Sequence, residues 1–404
     1  MPTPAFSIRE RAWSHFDEMV DERRILHSVP ELAFQEFETT AFIDARCREL
    51  GLERVPLLTE TGALWRLDGT SNGTNNEKRV LLRADIDGLA LVEAGNTPFA
   101  SIHEGRMHAC GHDAHVAQLL GVARILSAMR DELAGTVYFL FQPAEEVLGG
   151  ARSILDGGAL RSLDLSFVLG LHLLSPMPVG LVGARPGVAM AAGRLLRIEI
   201  RGPGGHVAAQ PIRTNTLEVA VEIVGRFPEV IHGMEHEGTP CACAAGSIHG
   251  GNSANGAPSE TIIEATVRTF TPKQHAEALV RLQRIVDEAT DGTACTARLA
   301  VTAESKAVVN DESVTEIVRE QTLQIFERNR LVELGPMPGS DDMGEFLAEI
   351  PGTYFVVGAG RADGSVRFHH SEAFSIDERS MRVAAAILAG SALGLLDSTR
   401  AERR

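Results

Sequence analysis

Five of the eight residues in segment 108–115 (HACGHDAH) carry a side chain that can bind a metal ion or a proton. Two later segments, 142–146 (QPAEE) and 170–172 (GLH), add carboxylates and a further imidazole. Thiolate, imidazole and carboxylate groups are the donors that hold zinc and the neighbouring divalent metals. A spare carboxylate beside a ligand can serve as the base for a metal-activated water. These residues therefore predict a hydrolytic metal centre.

The adjacent carboxylates Glu145 and Glu146 strengthen this prediction. They follow an apolar strand and Pro143, so they enter the buried end of a sheet rather than a solvated surface. Two carboxylates in that position would repel one another, and one of them would take up a proton. A cation removes the conflict, because one carboxylate can coordinate it while the other exchanges a proton with water.

Three apolar strands are predicted at 79–84, 136–141 and 165–169, and each runs into a cluster of polar residues. Helical periodicity at 9–26, 37–50 and 114–130 alternates with these strands. Strands that alternate with helices indicate an α/β domain with a mainly parallel sheet flanked by helices. Ligands gather at the carboxyl ends of the strands of such sheets, which is where the acidic residues and histidines fall.

The pattern changes near residue 187. Strands are predicted at 194–201, 241–248, 259–270 and 294–302, and helices at 214–227 and 272–290. This order describes a smaller α+β insert whose sheet packs on two helices. Helical periodicity resumes at 312–329. We therefore expect a discontinuous catalytic domain (residues 1–186 and 303–404) interrupted by a second domain (187–302).

Composition narrows the function further. The chain has 404 residues and a formal net charge of −16, which argues against a nucleic-acid partner because phosphate binding needs clustered Lys and Arg. No apolar run approaches the roughly 20 residues of a membrane span, and no secretory signal is evident, so we expect a cytoplasmic protein that does not enter membranes. Five irregularly spaced cysteines do not suggest a disulfide framework.

The motifs together resemble the aminoacylase and carboxypeptidase type of co-catalytic metallohydrolases. Within that clan the chain is most similar to the amidohydrolase subfamily, which includes hippurate hydrolase, N-acyl-amino-acid amidohydrolases and indole-acetyl-amino-acid hydrolases. The resemblance covers nearly the whole chain. It rests on HSVPELAFQEFET (27–39), LLRADIDGLAL (81–91), HACGHDAH (108–115), FQPAEE (141–146), GLH (170–172), GPGGH (202–206), TVRTF (266–270), GSDD (339–342) and HHSEAFSIDE (369–378).

The resemblance implies a zinc-exopeptidase-like catalytic domain that binds two divalent ions, which could be zinc, manganese, cobalt or nickel. Glu145 matches the general base, and Asp87 matches a carboxylate that orients or polarises the site. His369 and His370 both stand near the position of the last ligand; Phe374 follows His370 by the family's spacing of four, which favours His370. The implied ligands are Cys110 as the bridging thiolate, His112, Glu146, His172 and His370.

The insert matches the family's lid and dimerisation domain, so a homodimer is expected. His206 matches the lid histidine that stabilises the oxyanion. Asn255 and Arg268 match positions that hold the amide oxygen and the free carboxylate of a small N-acyl-amino-acid substrate. Asn255-Gly256-Ala257-Pro258 lacks the usual branched apolar pair, and the segment GSDD (339–342) has Asp where the family often has Glu. These departures concern the shape of the pocket.

Three alternatives stay open at this point. The chain could be a dipeptidase or carboxypeptidase of the same family. It could instead be a cysteine hydrolase that uses Cys110 as nucleophile with His112 and Asp113. Finally, it could be a binding protein whose metal only braces the fold, although a carboxylate beside Glu146 would then have no use. Asp113 and His115 are expected to be structural.

Overall fold

The computed structural model describes residues 4–71, 78–95, 97–209 and 213–397. These form two compact units. The first unit comprises Met1–Gly187, Val309–Leu334 and Glu345–Arg404, and the second comprises Val188–Val308 and Gly335–Gly344. The insert was expected to end at residue 302; the second unit extends a few residues beyond it and also includes the segment that precedes Glu345.

Strands and helices are numbered in chain order. The strands are β1 (Glu53–Val55), β2 (Ala63–Asp68), β3 (Arg79–Asp85), β4 (Thr136–Gln142), β5 (Phe167–Pro178), β6 (Val182–Gly183), β7 (Gly187–Met190), β8 (Ala192–Arg201), β9 (Gly205–His206), β10 (Glu235–His236), β11 (Thr239–Pro240), β12 (Ala242–Gly250), β13 (Gly256–Ala257), β14 (Glu260–Thr269), β15 (Thr296–Ser305), β16 (Val308–Asn310), β17 (Leu331–Val332) and β18 (Gly352–Gly360). The α-helices are α1 (Pro4–Ser14), α2 (Phe16–Ser28), α3 (Phe37–Glu49), α4 (His112–Ser127), α5 (Gly150–Asp156), α6 (Thr216–Gly225), α7 (Phe227–Ile231), α8 (Pro272–Thr290), α9 (Glu312–Ile325), α10 (Met343–Leu347) and α11 (Arg379–Asp397).

The first unit is built on an eight-stranded sheet in the order β1-β2-β4-β3-β5-β18-β6-β17. Its four central strands, β4, β3, β5 and β18, are parallel, whereas β1 and β2 add to one edge in antiparallel fashion. Helices α4 and α11 pack against β3 and β5. Strands β3 and β4 are buried almost throughout, as expected of parallel strands covered by helices. The predicted α/β class with a mainly parallel sheet is confirmed.

The register of the central strands brings the metal motifs together at the carboxyl ends of these strands. Asp85, the last residue of β3, pairs with Gln142, the last residue of β4. Arg83 pairs with Gly170, so His172 on β5 lies level with Asp85, although β5 itself continues to Pro178. The polar turns after β3 and β4 therefore lie beside His172.

Helix α11 corrects one expectation from the sequence. At 19 residues with a mean hydropathy of 1.4, it is long and apolar enough to cross a membrane, although no such run was expected. However, 83% of its apolar window is buried inside the protein. That burial is typical of a core helix, which must be apolar on all sides.

The second unit contains an antiparallel sheet in the order β12-β14-β8-β15. Alternate residues of β8 and β14 point into a core shared with α6, α7 and α8. Helix α8 begins at a capping box, in which Thr271 accepts the N–H of Gln274 and the side chain of Gln274 accepts the N–H of Thr271. Two short ribbons, β9/β13 and β10/β11, complete the unit.

Candidate metal centre

The first unit brings five predicted metal ligands from four separate segments to the same edge of its sheet. Cys110 precedes α4, and His112 is the first residue of that helix. Gly111 between them has a φ of +97°, a conformation that favours glycine, and a Cβ there would contact the ring of Phe374 at 3.4 Å. Glu146 lies in the turn after β4, His172 lies on β5, and His370 lies in the loop before α11.

The donor atoms of these side chains face one another. Those of Cys110, His112 and Glu146 all lie within 4.8 Å of each other. The Sγ of Cys110 is 3.3 Å from Nε2 of His172, and Oε2 of Glu146 is 3.3 Å from Nε2 of His370. The sulfur of Cys110 is thus close both to His172 and to the donor atoms of His112 and Glu146.

Two buried atoms of the cluster have no hydrogen-bond partner within the described residues: Nε2 of His112 and Oε1 of Glu146. They are 3.9 Å apart. Burying a polar atom without a partner costs roughly 1–3 kcal/mol, so such atoms are rare unless something else contacts them. Imidazole nitrogen, carboxylate oxygen and thiolate sulfur are suitable donors for zinc and its neighbours. The residues present therefore fit a metal centre.

Hydrogen bonds on the far side of two imidazoles fix which nitrogen faces the cluster. Nδ1 of His112 donates to the carbonyl of Asp87 (2.9 Å), and Nδ1 of His172 donates to the carbonyl of Leu173 (2.8 Å). Each ring then presents Nε2 to the cluster. Metal-binding histidines are oriented in the same way by an acceptor on their other nitrogen.

His369 and His370 differ in the state of their ring nitrogens. Nε2 of His369 accepts the N–H of Ser175 (3.1 Å), and its Nδ1 donates to the carbonyl of Cys110 (3.2 Å). Both nitrogens of His369 are thus engaged by the backbone, although the ring lies close to Cys110 and His172. His370 instead faces Glu146 from a left-handed backbone conformation (φ +60°). Such strain in a non-glycine residue is typical of functional sites.

The electrostatics of the cluster are those of a cation site. Burial opposes a charge on His112, but Asp85 and Cys110 raise its pKa well above 6.5. Hydrogen bonds with Cys110 and Glu146 raise the pKa of His370 to about 10. Burial alone would raise the pKa of Glu146, yet its hydrogen bond to His370 lowers it. In the absence of a metal, protons on imidazoles balance the negative charge, and a divalent ion would displace those protons.

Asp87 holds the turn that carries both glutamates. Its carboxylate accepts the backbone N–H groups of Glu145 (3.1 Å) and Glu146 (3.0 Å), and its Oδ1 lies 3.3 Å from Nδ1 of His112. Burial raises the pKa of Asp87, and the charge of Glu146 adds to the effect. Glu145 is itself buried, with 6% of its surface exposed. Asp87 therefore positions a ligand and the candidate base through a single carboxylate.

A second buried network lies behind the cluster and was not predicted from the sequence. Arg83 donates to Asp85 (2.7 Å), and Nδ1 of His115 donates to the same carboxylate (2.6 Å). Nε2 of His115 accepts the N–H of Leu173, the residue after His172. Arg83 and Asp85 belong to the same segment as Asp87, LLRADIDG (81–88), in which the sequence motifs assign a role to Asp87 alone. Both residues lie at the carboxyl end of β3, which is the feature of the sequence that could have identified this network.

Asp113 belongs to a third group, on the N-terminal side of the cluster. It accepts hydrogen bonds from Nε of Arg23 (3.0 Å) and from Nδ1 of His27 (2.8 Å), and it is completely buried. Burial opposes its charge, but Arg23 and His27 hold the pKa of Asp113 far below its ordinary value of 3.8. These contacts tie α2 to the start of α4.

The predicted substrate-binding residues lie in the second unit, and the structure brings only two of them together. His206 on β9 pairs with Gly256, next to Asn255, whose carbonyl accepts the N–H of Val207. This ribbon is attached at the Glu260 end of β14. Arg268 lies near the opposite end of β14, eight residues away, which is about 27 Å at the usual rise of a strand.

Comparisons with known proteins identify relatives over nearly the whole chain. N-acetyl-L-cysteine deacetylase of Bacillus subtilis is 34% identical over 381 residues, which cover 94% of this chain and 89% of the relative. Thermostable carboxypeptidase 1 of Saccharolobus solfataricus is 30% identical over 374 residues, which cover 91% and 93% of the two chains. The crystal structure of a Bacillus subtilis protein described as a dinuclear metal-binding M20 peptidase has a TM-score of 0.74 at 30% identity, over 95% of this chain and 99% of that chain.

The family resemblance drawn from the sequence motifs is confirmed by a direct match to a family model. This match extends over residues 81–393, so it includes the turn after β3, the loop before α4 and the loop that carries His370. It also includes the insert. The chain belongs to peptidase family M20/M25/M40.

Proposed function

We propose that this chain hydrolyses the amide bond of N-acyl amino acids and releases a carboxylic acid and a free amino acid. The observation that carries the proposal is the pair of buried, unpartnered donor atoms on His112 and Glu146, together with the burial of Glu145, the residue that precedes Glu146. A ligand set beside a carboxylate is the minimum that metal-assisted hydrolysis requires. The name of the deacetylase relative supports an acylated amino acid as substrate.

Two divalent ions would be held by Cys110, His112, Glu146, His172 and His370. Zinc, manganese, cobalt and nickel are the candidates: the thiolate suits zinc, the imidazoles suit zinc and nickel, and the carboxylate suits manganese. Bound ions would lower the pKa of a coordinated water from about 15.7 toward about 7. The dinuclear description of the Bacillus subtilis relative supports two ions rather than one.

Glu145 is proposed as the general base. It removes a proton from the attacking water and then delivers that proton to the leaving nitrogen, so the amine departs neutral. The hydrogen bonds from the backbone of Glu145 and Glu146 to Asp87 support this role, because they fix the base relative to a ligand. Pre-positioning of this kind removes part of the entropic cost of bringing the reacting groups together.

His206, Asn255 and Arg268 are proposed to bind the substrate. His206 would donate to the oxyanion, Asn255 to the amide oxygen, and Arg268 would hold the free carboxylate as a bidentate pair. An N-acyl amino acid is about as long as two residues, or about 7 Å, which is much shorter than the separation along β14. We therefore propose that His206 and Asn255 of one copy and Arg268 of another act on one substrate, in a homodimer formed through the second unit.

A carboxypeptidase is the second candidate, because the Saccharolobus solfataricus relative carries that name at similar identity. The chemistry would be the same, but the acyl group would belong to a peptide. The panel that separates the two contains acetyl, benzoyl, indole-acetyl and long-chain acyl amino acids together with unblocked dipeptides and longer peptides. Each substrate is tested with zinc, manganese, cobalt and nickel in turn.

Turnover of at least one acyl amino acid well above the dipeptides would support the proposal. Preferential turnover of peptides would assign the second function, and failure on every acylated substrate with every metal would overturn the first. A cytoplasmic location stays a prediction.

A further inference from the structure

Four arginines line a cavity of about 160 Å³ in the first unit, and the described residues that line it include none of the metal centre. We refer to Arg9, Arg330, Arg379 and Arg382 as the arginine cluster. Trp13 and Phe326 also line the cavity, whereas none of the described residues that line it carries a carboxylate. A concentration of positive charge without acid is unexpected in a chain with a formal net charge of −16.

Most of the positive charge of the arginine cluster is not neutralised by the protein. Arg379 forms a two-pronged ion pair with Asp377, through Nε (2.9 Å) and Nη2 (2.5 Å). Within the described residues, no ion pair involves Arg9, Arg330 or Arg382, and the guanidinium of Arg330 donates a single long hydrogen bond, to the carbonyl of Val179 at 3.5 Å. Three guanidinium groups thus retain unused N–H donors around the cavity.

Aromatic rings hold two of these guanidinium groups in place. The Cζ of Arg9 lies 5.2 Å from the ring centre of Trp13 and 5.7 Å from that of Phe326. The Cζ of Arg382 lies 4.6 Å from Trp13 and 4.8 Å from Phe16. Contact of this kind uses the flat face of a guanidinium and leaves the N–H groups on its edge available.

The charges also act on one another. Burial lowers the pKa of Arg382, and the positive charges of Arg379 and Arg9 lower it further, while Asp377 opposes them. Like charges held together in this way are relieved by a bound anion. The arrangement is therefore suited to a negatively charged ligand rather than to a neutral one.

We propose that the arginine cluster binds a small oxyanion of the phosphate class, either inorganic phosphate or the phosphoryl group of a phosphomonoester. The planar fork of a guanidinium matches the spacing of two oxygens on such a group. Sites for drug-sized ligands occupy about 300–1,000 Å³, so the smaller cavity holds an ion or one phosphoryl group rather than a whole cofactor. The proposal does not depend on the metal centre or on its substrate.

Calorimetric titration of the full-length protein tests the proposal, with inorganic phosphate, glycerol phosphate and acetate compared at constant ionic strength. Trp13 supplies a second readout, since the chain has only two tryptophans and Trp65 is buried in β2. Saturable binding of a phosphate compound, with little binding of acetate, is expected. A change in tryptophan fluorescence over the same concentration range would place the anion beside Trp13.

Arg9→Gln and Arg330→Gln alter exposed residues, so both variants should fold, and Arg382→Gln removes the most enclosed unpaired group. Each should weaken binding about tenfold or more, as the loss of a charge-assisted hydrogen bond does. Arg48→Gln, an exposed helical arginine outside the cavity, is the matched control and should bind as the unaltered protein does.

The titrations with inorganic phosphate and with glycerol phosphate distinguish the two possible ligands. Tighter binding of glycerol phosphate assigns the site to a phosphomonoester, and tighter binding of inorganic phosphate assigns it to the free ion. The proposal is overturned if no saturable signal occurs up to about 10 mM, or if the Arg9 and Arg330 variants bind as well as Arg48→Gln. If Arg382→Gln does not fold, these two exposed variants decide the result.

Discussion

Nε2 of His112 and Oε1 of Glu146 face each other across 3.9 Å in the interior of the first unit, and neither atom has a hydrogen-bond partner within the described residues. Every other heteroatom on these two side chains is engaged: Nδ1 of His112 by the carbonyl of Asp87 and Oε2 of Glu146 by His370. The unused atoms therefore converge on one point, where a cation would satisfy both.

Removal of metal should abolish hydrolysis reversibly. A chelator followed by dialysis should reduce turnover to background, and addition of zinc, manganese, cobalt or nickel should restore it, because Glu145 cannot activate a water of ordinary pKa efficiently. Metal content measured by mass spectrometry should follow activity. Full activity in a metal-free sample would favour the alternative in which Cys110 is the nucleophile.

Glu145→Gln should separate catalysis from metal binding. The loss of a general base lowers turnover by about 10²–10⁴-fold. Because Glu145 is proposed to stay outside the ligand set, the variant should retain the metal content of the unaltered protein. Glu146→Gln is the matched control at the adjacent position, and it should lose metal together with activity. Unchanged turnover in Glu145→Gln would show that Glu145 is not the general base.

Substitution of the two adjacent histidines should give different results. His370→Ala should lower the metal content, since His370 faces Glu146. His369→Ala should keep the metals but lower the free energy of unfolding by about 1–3 kcal/mol, because its ring bonds the backbone of Ser175 and Cys110. Metal analysis and urea unfolding of both variants check this assignment. Metal loss in His369→Ala alone would reverse it.

Asp113 should contribute stability that depends on pH. Its pKa in the folded protein lies far below 3.8, the value expected when unfolded, so its stabilisation is complete above about pH 4 and is lost as the pH falls further. Asp113→Asn removes the charge that pairs with His27 and one of the two carboxylates that pair with the buried Arg23, the other being Glu378. It should cost about 1.5–3 kcal/mol at pH 7, as the loss of a charge-assisted hydrogen bond does.

Urea unfolding at pH 7, 5, 4 and 3 measures the difference in free energy of unfolding between the unaltered protein and Asp113→Asn. This difference should become smaller only below pH 4. Asp21→Asn, an exposed carboxylate on the same helix as Arg23, should change stability by less than about 0.5 kcal/mol. If the difference in free energy of unfolding is the same at every pH, the ionised carboxylate of Asp113 does not cause it.

The sequence predicted the elements that have a strong local signal. Helix α8 was predicted at 272–290, and the structure has Pro272–Thr290, because a capping box marks its start. The region 9–26 was predicted as one helix, yet the structure has α1 and α2 with a break at His15. Periodicity alone does not reveal such a break, since both helices bury residues on the same side of the first unit.

The site was predictable where residue type and spacing agree, as at Cys110 and His112. Contacts between segments that are far apart in the sequence could not be predicted in the same way. Asp85 and His115 come within 2.6 Å only through the packing of α4 against β3. The backbone bonds that distinguish His369 from His370 involve Ser175, nearly 200 positions away. Pairwise geometry of that kind is a property of tertiary packing, which a single sequence does not display.

The position of Arg268, about 27 Å along β14 from the end that carries His206 and Asn255, leads to a prediction about assembly. If one substrate is held by His206 of one copy and Arg268 of another, then His206→Ala and Arg268→Ala should each be nearly inactive alone. A mixed dimer of the two variants would contain one site with both residues intact and one site with neither.

Random pairing of the two variants makes half of the dimers mixed, and each mixed dimer has half of its sites intact, so about a quarter of normal activity should return. Co-expression of the variants with different affinity tags, followed by activity assays and light scattering, measures this directly. Either variant mixed with itself is the control and should stay inactive. Absence of any recovery in a confirmed mixed dimer would show that each copy supplies its own His206 and Arg268.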